Sequence, residues 1–289
     1  METERIKITC KDNEKLSAIR YTPDDSSRAV VIICSALGVP QQFYSGFSIF
    51  LAEHGCTVVT FDYRGTGESK NIGLRGRDIM MQDWGQLDMD AVMDEAIQWG
   101  MGPIFLVGHS AGGQLFGLSP QSKHLKGVIL APASSANAGL YPFPTRFLFY
   151  LMWHLFIPLL AFKRDQFPAR KIRLASMDAP SGVMKQWSKW AGNPDYLFSR
   201  DSGLDTSRYA ELHMPILAYG FSDDKYASEK AIRHLLSRFK SAEIQFHFMD
   251  VKQMGIGSVG HFGFFKEKMK TSLWQQTLKW LDSHNQHAK

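Results

Sequence analysis

Ser110 stands in Gly108-His109-Ser110-Ala111-Gly112, directly after the apolar run Ile104-Phe105-Leu106-Val107 and before a stretch able to form a helix. That spacing suits a nucleophile lifted clear of a sheet on a very sharp strand-to-helix turn. Side chains two positions before and two after the serine would collide with each other and with neighbouring strands. Gly108 and Gly112 avoid that collision, and Ala111 and Gly113 keep the helix start slim. The helix N-terminus would turn free N–H groups toward the serine. The plainer alternative is a Gly-rich turn in which Ser110 only caps a helix.

A serine hydroxyl is a weak nucleophile near neutral pH, so it needs a base in hydrogen-bond reach and a group that orients the base. In this strand–turn–helix setting the partners follow the serine in the order acid, then His. His261 is the candidate base. Among ten histidines it is set apart by Gly255, Gly257, Gly260 and Gly263, which give a loop able to bend back toward Ser110. His109, at the middle position of the turn, is expected to pack or hydrogen-bond nearby. Asp223 and Asp224 both follow a strand ending near Gly220. Counting back from Ala227-Ser228, where the next helix starts, favours Asp224; counting forward from Gly220 favours Asp223. Asp224 is the choice and Asp223 the alternative. His261 would take the Ser110 proton on one ring nitrogen while the acid holds the other. Acyl transfer also needs donors for the developing oxyanion. The N–H of Ala111 is one, and Leu37, in the loop after the third strand, is chosen for the second.

The rest of the chain must bring these residues to one edge. Residues 6–10 and 16–21 read as two strands, and 29–34, 57–61, 104–107 and 127–131 as strands buried on both faces. Helical spacing covers 43–54 and 83–99 between them. Alternation resumes with a strand at 215–220, a helix at 228–239, a strand at 244–249 and a last helix at 264–283. Strands alternating with helices predict an α/β fold with a mostly parallel sheet covered on both faces. The pattern breaks between Pro132 and Leu212. Residues 1–132 and 213–289 are therefore expected to form the core, and 133–212 an inserted helical cap over the carboxyl edge of the sheet, where open α/β folds hold their sites. The apolar run 147–162 is short for a membrane span and carries His154 and Pro158. It could also dip into a membrane surface. The simplest reading is a cap helix with an aromatic face on a substrate pocket or packed within the cap.

Composition narrows the function classes. The net charge of +5 is carried by scattered basic residues without a Lys/Arg block, so nucleic acid is not expected as a partner. The odd count of three cysteines, without Cys-x-x-Cys spacing, argues against a disulfide framework and suits a cytoplasmic protein. The N-terminus lacks the apolar region of a signal peptide. Gly255-Ile256-Gly257-Ser258-Val259-Gly260 matches G-x-G-x-x-G but lacks the following βαβ unit and ribose-binding acid. No metal-ligand cluster stands out. No cofactor and no metal are expected.

Gly108-His109-Ser110-Ala111-Gly112, Asp62-Tyr63-Arg64-Gly65-Thr66-Gly67-Glu68-Ser69 and Gly260-His261-Phe262-Gly263-Phe264-Phe265 together resemble the α/β-hydrolase superfamily. The second motif is similar to the D-Y-R-G-x-G-x-S turn of esterases and monoacylglycerol lipases. The chain's ending and residues 182–190 resemble a bacterial group of α/β hydrolases of poorly defined substrate. Where many relatives carry His-Gly in the oxyanion loop, this chain carries Ser35-Ala36. The resemblance implies a serine hydrolase acting on a small-molecule acyl or ester substrate. Amide cleavage, acyl transfer to another acceptor, and a non-catalytic protein binding a hydrophobic ligand remain the alternatives.

Overall fold

An antiparallel pair, β1 (Glu2–Thr9) and β2 (Lys15–Thr22), opens the chain. It leads into β3 (Ala29–Cys34), β4 (Cys56–Phe61), β5 (Ile104–Gly108) and β6 (Leu125–Leu130). After a long segment holding a two-residue strand pair, β7 (Gln166–Phe167) and β8 (Ala179–Pro180), come β9 (Ile216–Phe221) and β10 (Ile244–Met249). This computed structural model describes residues 1–70 and 73–285.

Eight strands form one sheet in the order β1-β2-β4-β3-β5-β6-β9-β10, parallel from β4 onward. The reason lies in composition. β3, β4 and β5 have no exposed residue, because every position faces helices on one side of the sheet or the other. Two clusters of buried side chains result, one on each face. Ser110 follows β5 in the middle of the sheet, while Asp224 and His261 follow β9 and β10. The carboxyl ends of the parallel strands share one edge, so the topology alone gathers the three.

Several elements differ in detail from the sequence expectation. The helix expected at 83–99 starts at Met81 and contains one wide turn, Trp84–Met89, before Asp90–Trp99. The last helix does not begin at 264. Short turns at Gly263–Phe265 and Glu267–Met269 come first, and regular helix runs only over Gln275–Asn285. The Trp274 indole N–H donates to the Phe264 carbonyl, which a continuous helix would have used itself. The strand pair β7–β8 was too short to leave a period-two pattern.

The Asp62–Ser69 turn braces the fold next to the site. Asp62 accepts the backbone N–H groups of Gln41 and Glu68, both at 2.9 Å. Arg64, 2% exposed, donates through Nε to fully buried Asp88 and through its terminal nitrogens to Asp12. Burial pushes the Asp88 carboxyl up to about 6, against the pull of the Arg64 guanidinium. The conspicuous motif is therefore structural, and its side chains do not face the serine cavity.

The regular structure between β6 and β9 is mainly helical. Thr145–Leu151, Met152–Phe156 and Ile157–Leu160 run on as one helix, and Ser181–Ala191 packs beside it. Trp153 and Trp187 meet edge to face at 4.5 Å between them.

Candidate active site

Ser110 has φ 50° and ψ −113°, a backbone conformation that a non-glycine residue adopts only when its surroundings force it. Its N–H is held by the Pro132 carbonyl at 2.9 Å, and the His109 N–H by the Cys34 carbonyl at 3.0 Å. A Cβ at position 112 would lie 2.2 Å from the Cys34 carbonyl oxygen, and one at 108 would lie 2.5 Å from the Gly113 Cα. Both contacts are impossible without moving backbone, which is why the turn needs glycine at these two places. The helix after the serine is short, Ala111–Leu115.

The structure separates the two adjacent acids. Asp224 Oδ2 lies 2.8 Å from His261 Nδ1, with the Asp224 side chain buried and His261 only 8% exposed. The other Asp224 oxygen accepts the N–H groups of Tyr226 and Ala227 at 2.8 and 3.1 Å. A carboxylate can only accept, so Nδ1 of His261 carries the proton and Nε2 is left as an acceptor. Asp223 turns elsewhere. Its two oxygens accept the backbone N–H groups of Gly260 and Val259, each at 2.9 Å. The Gly-rich segment is thus the loop that carries His261.

Ser110 and His261 line one cavity of about 70 Å³. The core side of its wall includes Ala36, Leu37, Gln114 and Phe262. The segment between β6 and β9 contributes Tyr141, Phe149, Met152, Trp153, Leu174 and Trp187. Among the described residues the Ser110 hydroxyl makes no hydrogen bond. The N–H groups of Ala111 and Leu37 likewise have no acceptor among the described residues. The neighbouring Ala36 N–H is already bonded to the Tyr44 hydroxyl at 2.9 Å, so it is not free.

His109 belongs to a buried relay that sequence reasoning did not find. Its Nε2 lies 2.9 Å from the His261 carbonyl oxygen and its Nδ1 2.9 Å from the Tyr44 hydroxyl. A carbonyl only accepts, so Nε2 donates, Nδ1 accepts from Tyr44, and the Tyr44 oxygen accepts from Ala36. Full burial, then the nearby His261 ring, hold the His109 pKa well below its ordinary value. The imidazole stays neutral, which keeps the proton order fixed. The relay ties the Leu37 loop to the His261 loop. No sequence signal marks Tyr44, because the link spans 65 residues.

The described residues include no group of three or more His, Cys, Asp or Glu placed to hold a metal ion. Cys10, Cys34 and Cys56 are free and buried.

The profile of the Alpha/beta hydrolase family matches residues 31–268, from the third strand to beyond His261. The chain belongs to the alpha/beta hydrolase family. No protein of curated function matches this hydrolase in sequence. Solved structures share its fold. A thermostable carboxyl esterase from Bacillus coagulans superposes with a TM-score of 0.65 at 12% identity, covering 99% of each chain. A thermophilic esterase from Thermogutta terrifontis gives 0.60 at 17% identity, covering 98% of this hydrolase and 99% of that chain. Est1E from Butyrivibrio proteoclasticus, solved with ferulic acid bound, gives 0.61 at 14% identity over 96% and 99% of the two chains.

Proposed function

We propose that this hydrolase cleaves carboxylic esters of small molecules through an acyl-enzyme on Ser110. The observation that carries the reading is the 2.8 Å contact of His261 with Asp224 at the wall of the cavity that Ser110 also lines. Ser110 Oγ attacks the ester carbonyl carbon and passes its proton to His261 Nε2. Asp224 stabilises the imidazolium and keeps its orientation. The oxyanion is held by the free N–H groups of Ala111 and Leu37. His261 then protonates the departing alcohol. Water enters, gives a proton to His261, and releases the acid, restoring the Ser110 hydroxyl. The sequence needs no cofactor and no metal.

The cavity volume supports short acyl groups. Its 70 Å³ is about half the space that holds a benzene ring in an engineered protein cavity. The wall is mostly aromatic and aliphatic, which favours an apolar acyl group. Residues 133–212 act as the cap in this reading. Three buried free thiols support a reducing compartment, and hence the cytoplasm.

Turnover of p-nitrophenyl acetate and butyrate tests the proposal. Wild type should hydrolyse both, and Ser110→Ala should fall to the background rate. Equal turnover by the Ser110→Ala variant would remove Ser110 from the mechanism.

A further inference from the structure

The helix of residues 145–160 is apolar on both sides. Its inner side supplies Phe149, Met152 and Trp153 to the cavity and buries Ile157. Its outer side and the residues flanking it expose Phe147, Leu155, Phe156, Leu159 and Phe162, with Leu159 66% and Phe162 63% exposed. Phe143, just before the helix, is 83% exposed. Scattered exposed apolar residues are ordinary, but a contiguous run of large ones marks a surface that something covers. Among the described residues no helix is long and apolar enough to cross a membrane. The segment can only lie against its cover.

Charge indicates which cover. From 141 to 173 the sequence carries six Lys or Arg and one acid. The acid, Asp165, is occupied by Arg77 at 2.8 Å, and among the described residues none of the six cations forms an ion pair. All six are exposed. Lys163 and Arg164 follow the helix directly, and Lys163 Nζ sits 5.3 Å over the Phe162 ring. Exposed Ile172 lies between Lys171 and Arg173, in the turn whose Leu174 shares the cavity wall with Phe149 and Met152. An apolar strip bordered by unpaired cations fits the interface of an anionic bilayer, where acyl chains take the apolar side chains and phosphates the cations. A second copy fits less well. A two-fold contact through this strip would set the same cations against each other.

We propose that the outer side of residues 143–173 docks the protein on anionic lipid bilayers, with Phe147, Phe156, Leu159 and Phe162 inserted at headgroup depth. The same helix then has one side on lipid and the other on the substrate cavity. This docking does not depend on the ester-cleavage reading, and its test uses no turnover.

The test is flotation of the full chain with vesicles of phosphatidylcholine alone and of equimolar phosphatidylcholine and phosphatidylglycerol. Wild type should float with the anionic vesicles, stay behind with the neutral ones, and be released by high salt. The variant Leu159→Asp/Phe162→Asp should lose at least about tenfold in bound fraction while its thermal unfolding by circular dichroism is unchanged. Lys163→Glu/Lys171→Glu should also weaken binding to the anionic vesicles. Failure of wild type to float with anionic vesicles overturns the proposal, as does equal binding to neutral ones. A dimer in sedimentation that the Asp variant dissociates, without vesicle binding, also overturns it and assigns the face to a second copy.

Discussion

Asp223 and Asp224, neighbours in sequence, grip the same loop at two different levels. Asp224 takes the His261 ring at 2.8 Å, whereas Asp223 takes the backbone N–H groups of Val259 and Gly260 just before it. One acid sets the imidazole and the other sets the segment that carries it.

The two acids should therefore fail differently. Asp224→Asn should lower kcat by about 10³–10⁴, because the amide cannot hold the Nδ1–H tautomer. Asp223→Asn should cost about 1–3 kcal/mol of stability, since one of its oxygens becomes an N–H facing a backbone N–H. Its kcat should fall far less. Steady-state kinetics and urea unfolding on both variants check this, and equal kcat losses would contradict the division.

His109 gives the fold an acid sensitivity. Its pKa is depressed by burial in the native state, while the unfolded chain protonates it near 6.5. The unfolded state then binds the extra proton, so stability is intact above that pH and falls below it. One proton contributes a slope of about 1 kcal/mol per pH unit. Comparing urea unfolding of wild type and His109→Gln between pH 7.5 and 5.5 should show the steeper loss in wild type. The Gln amide N–H can still donate to the His261 carbonyl, so the variant removes the titrating ring while keeping that contact.

Arg64→Met should be strongly destabilising, by about 3–5 kcal/mol near neutral pH, because buried Asp88 loses the partner that compensates its charge. The sign with pH is opposite to that of His109. The Asp88 carboxyl is raised to about 6, above its unfolded value, so its contribution is present in acid and lost as pH rises through that value. Without Arg64 the carboxyl protonates more readily still. The deficit of the variant should shrink toward pH 4.5, and thermal melts across that range measure it. A deficit that grows in acid would contradict the assignment.

Acyl length should follow the cavity wall. Met152→Ala removes three heavy atoms from a side chain lining the cavity without touching Ser110 or His261. The preferred aryl ester should lengthen by one or two carbons, each added methylene being worth about 0.8 kcal/mol, or about fourfold in kcat/KM. An unchanged preference across acetate to octanoate would place the acyl group elsewhere.

How much of this was legible in the chain depends on the range of the interaction. The buried strands could be read from continuous β-branched runs such as Val30-Val31-Ile32-Ile33, and the turn at Ser110 from glycines that have no room for a Cβ. Choosing between Asp223 and Asp224 required the direction of two side chains, which spacing constrains only loosely. The Tyr44–His109 relay was invisible because it joins residues from separate elements through single hydrogen bonds. The wide turn at Trp84–Met89 was hidden for a similar reason. It holds buried Asp88, whose partner Arg64 is distant in sequence. The apolar run at 147–162 left membrane surface, pocket and cap packing open, with the last two as the simplest reading, because periodicity cannot tell which apolar side is covered.

The most direct measurement is the mass of the intact protein after reaction with a fluorophosphonate, followed by peptide mapping. One adduct per chain is expected, on the peptide carrying Ser110, with labelling slowed by Asp224→Asn and absent in Ser110→Ala. An adduct on another residue, or equal labelling of the Ser110→Ala variant, would contradict it.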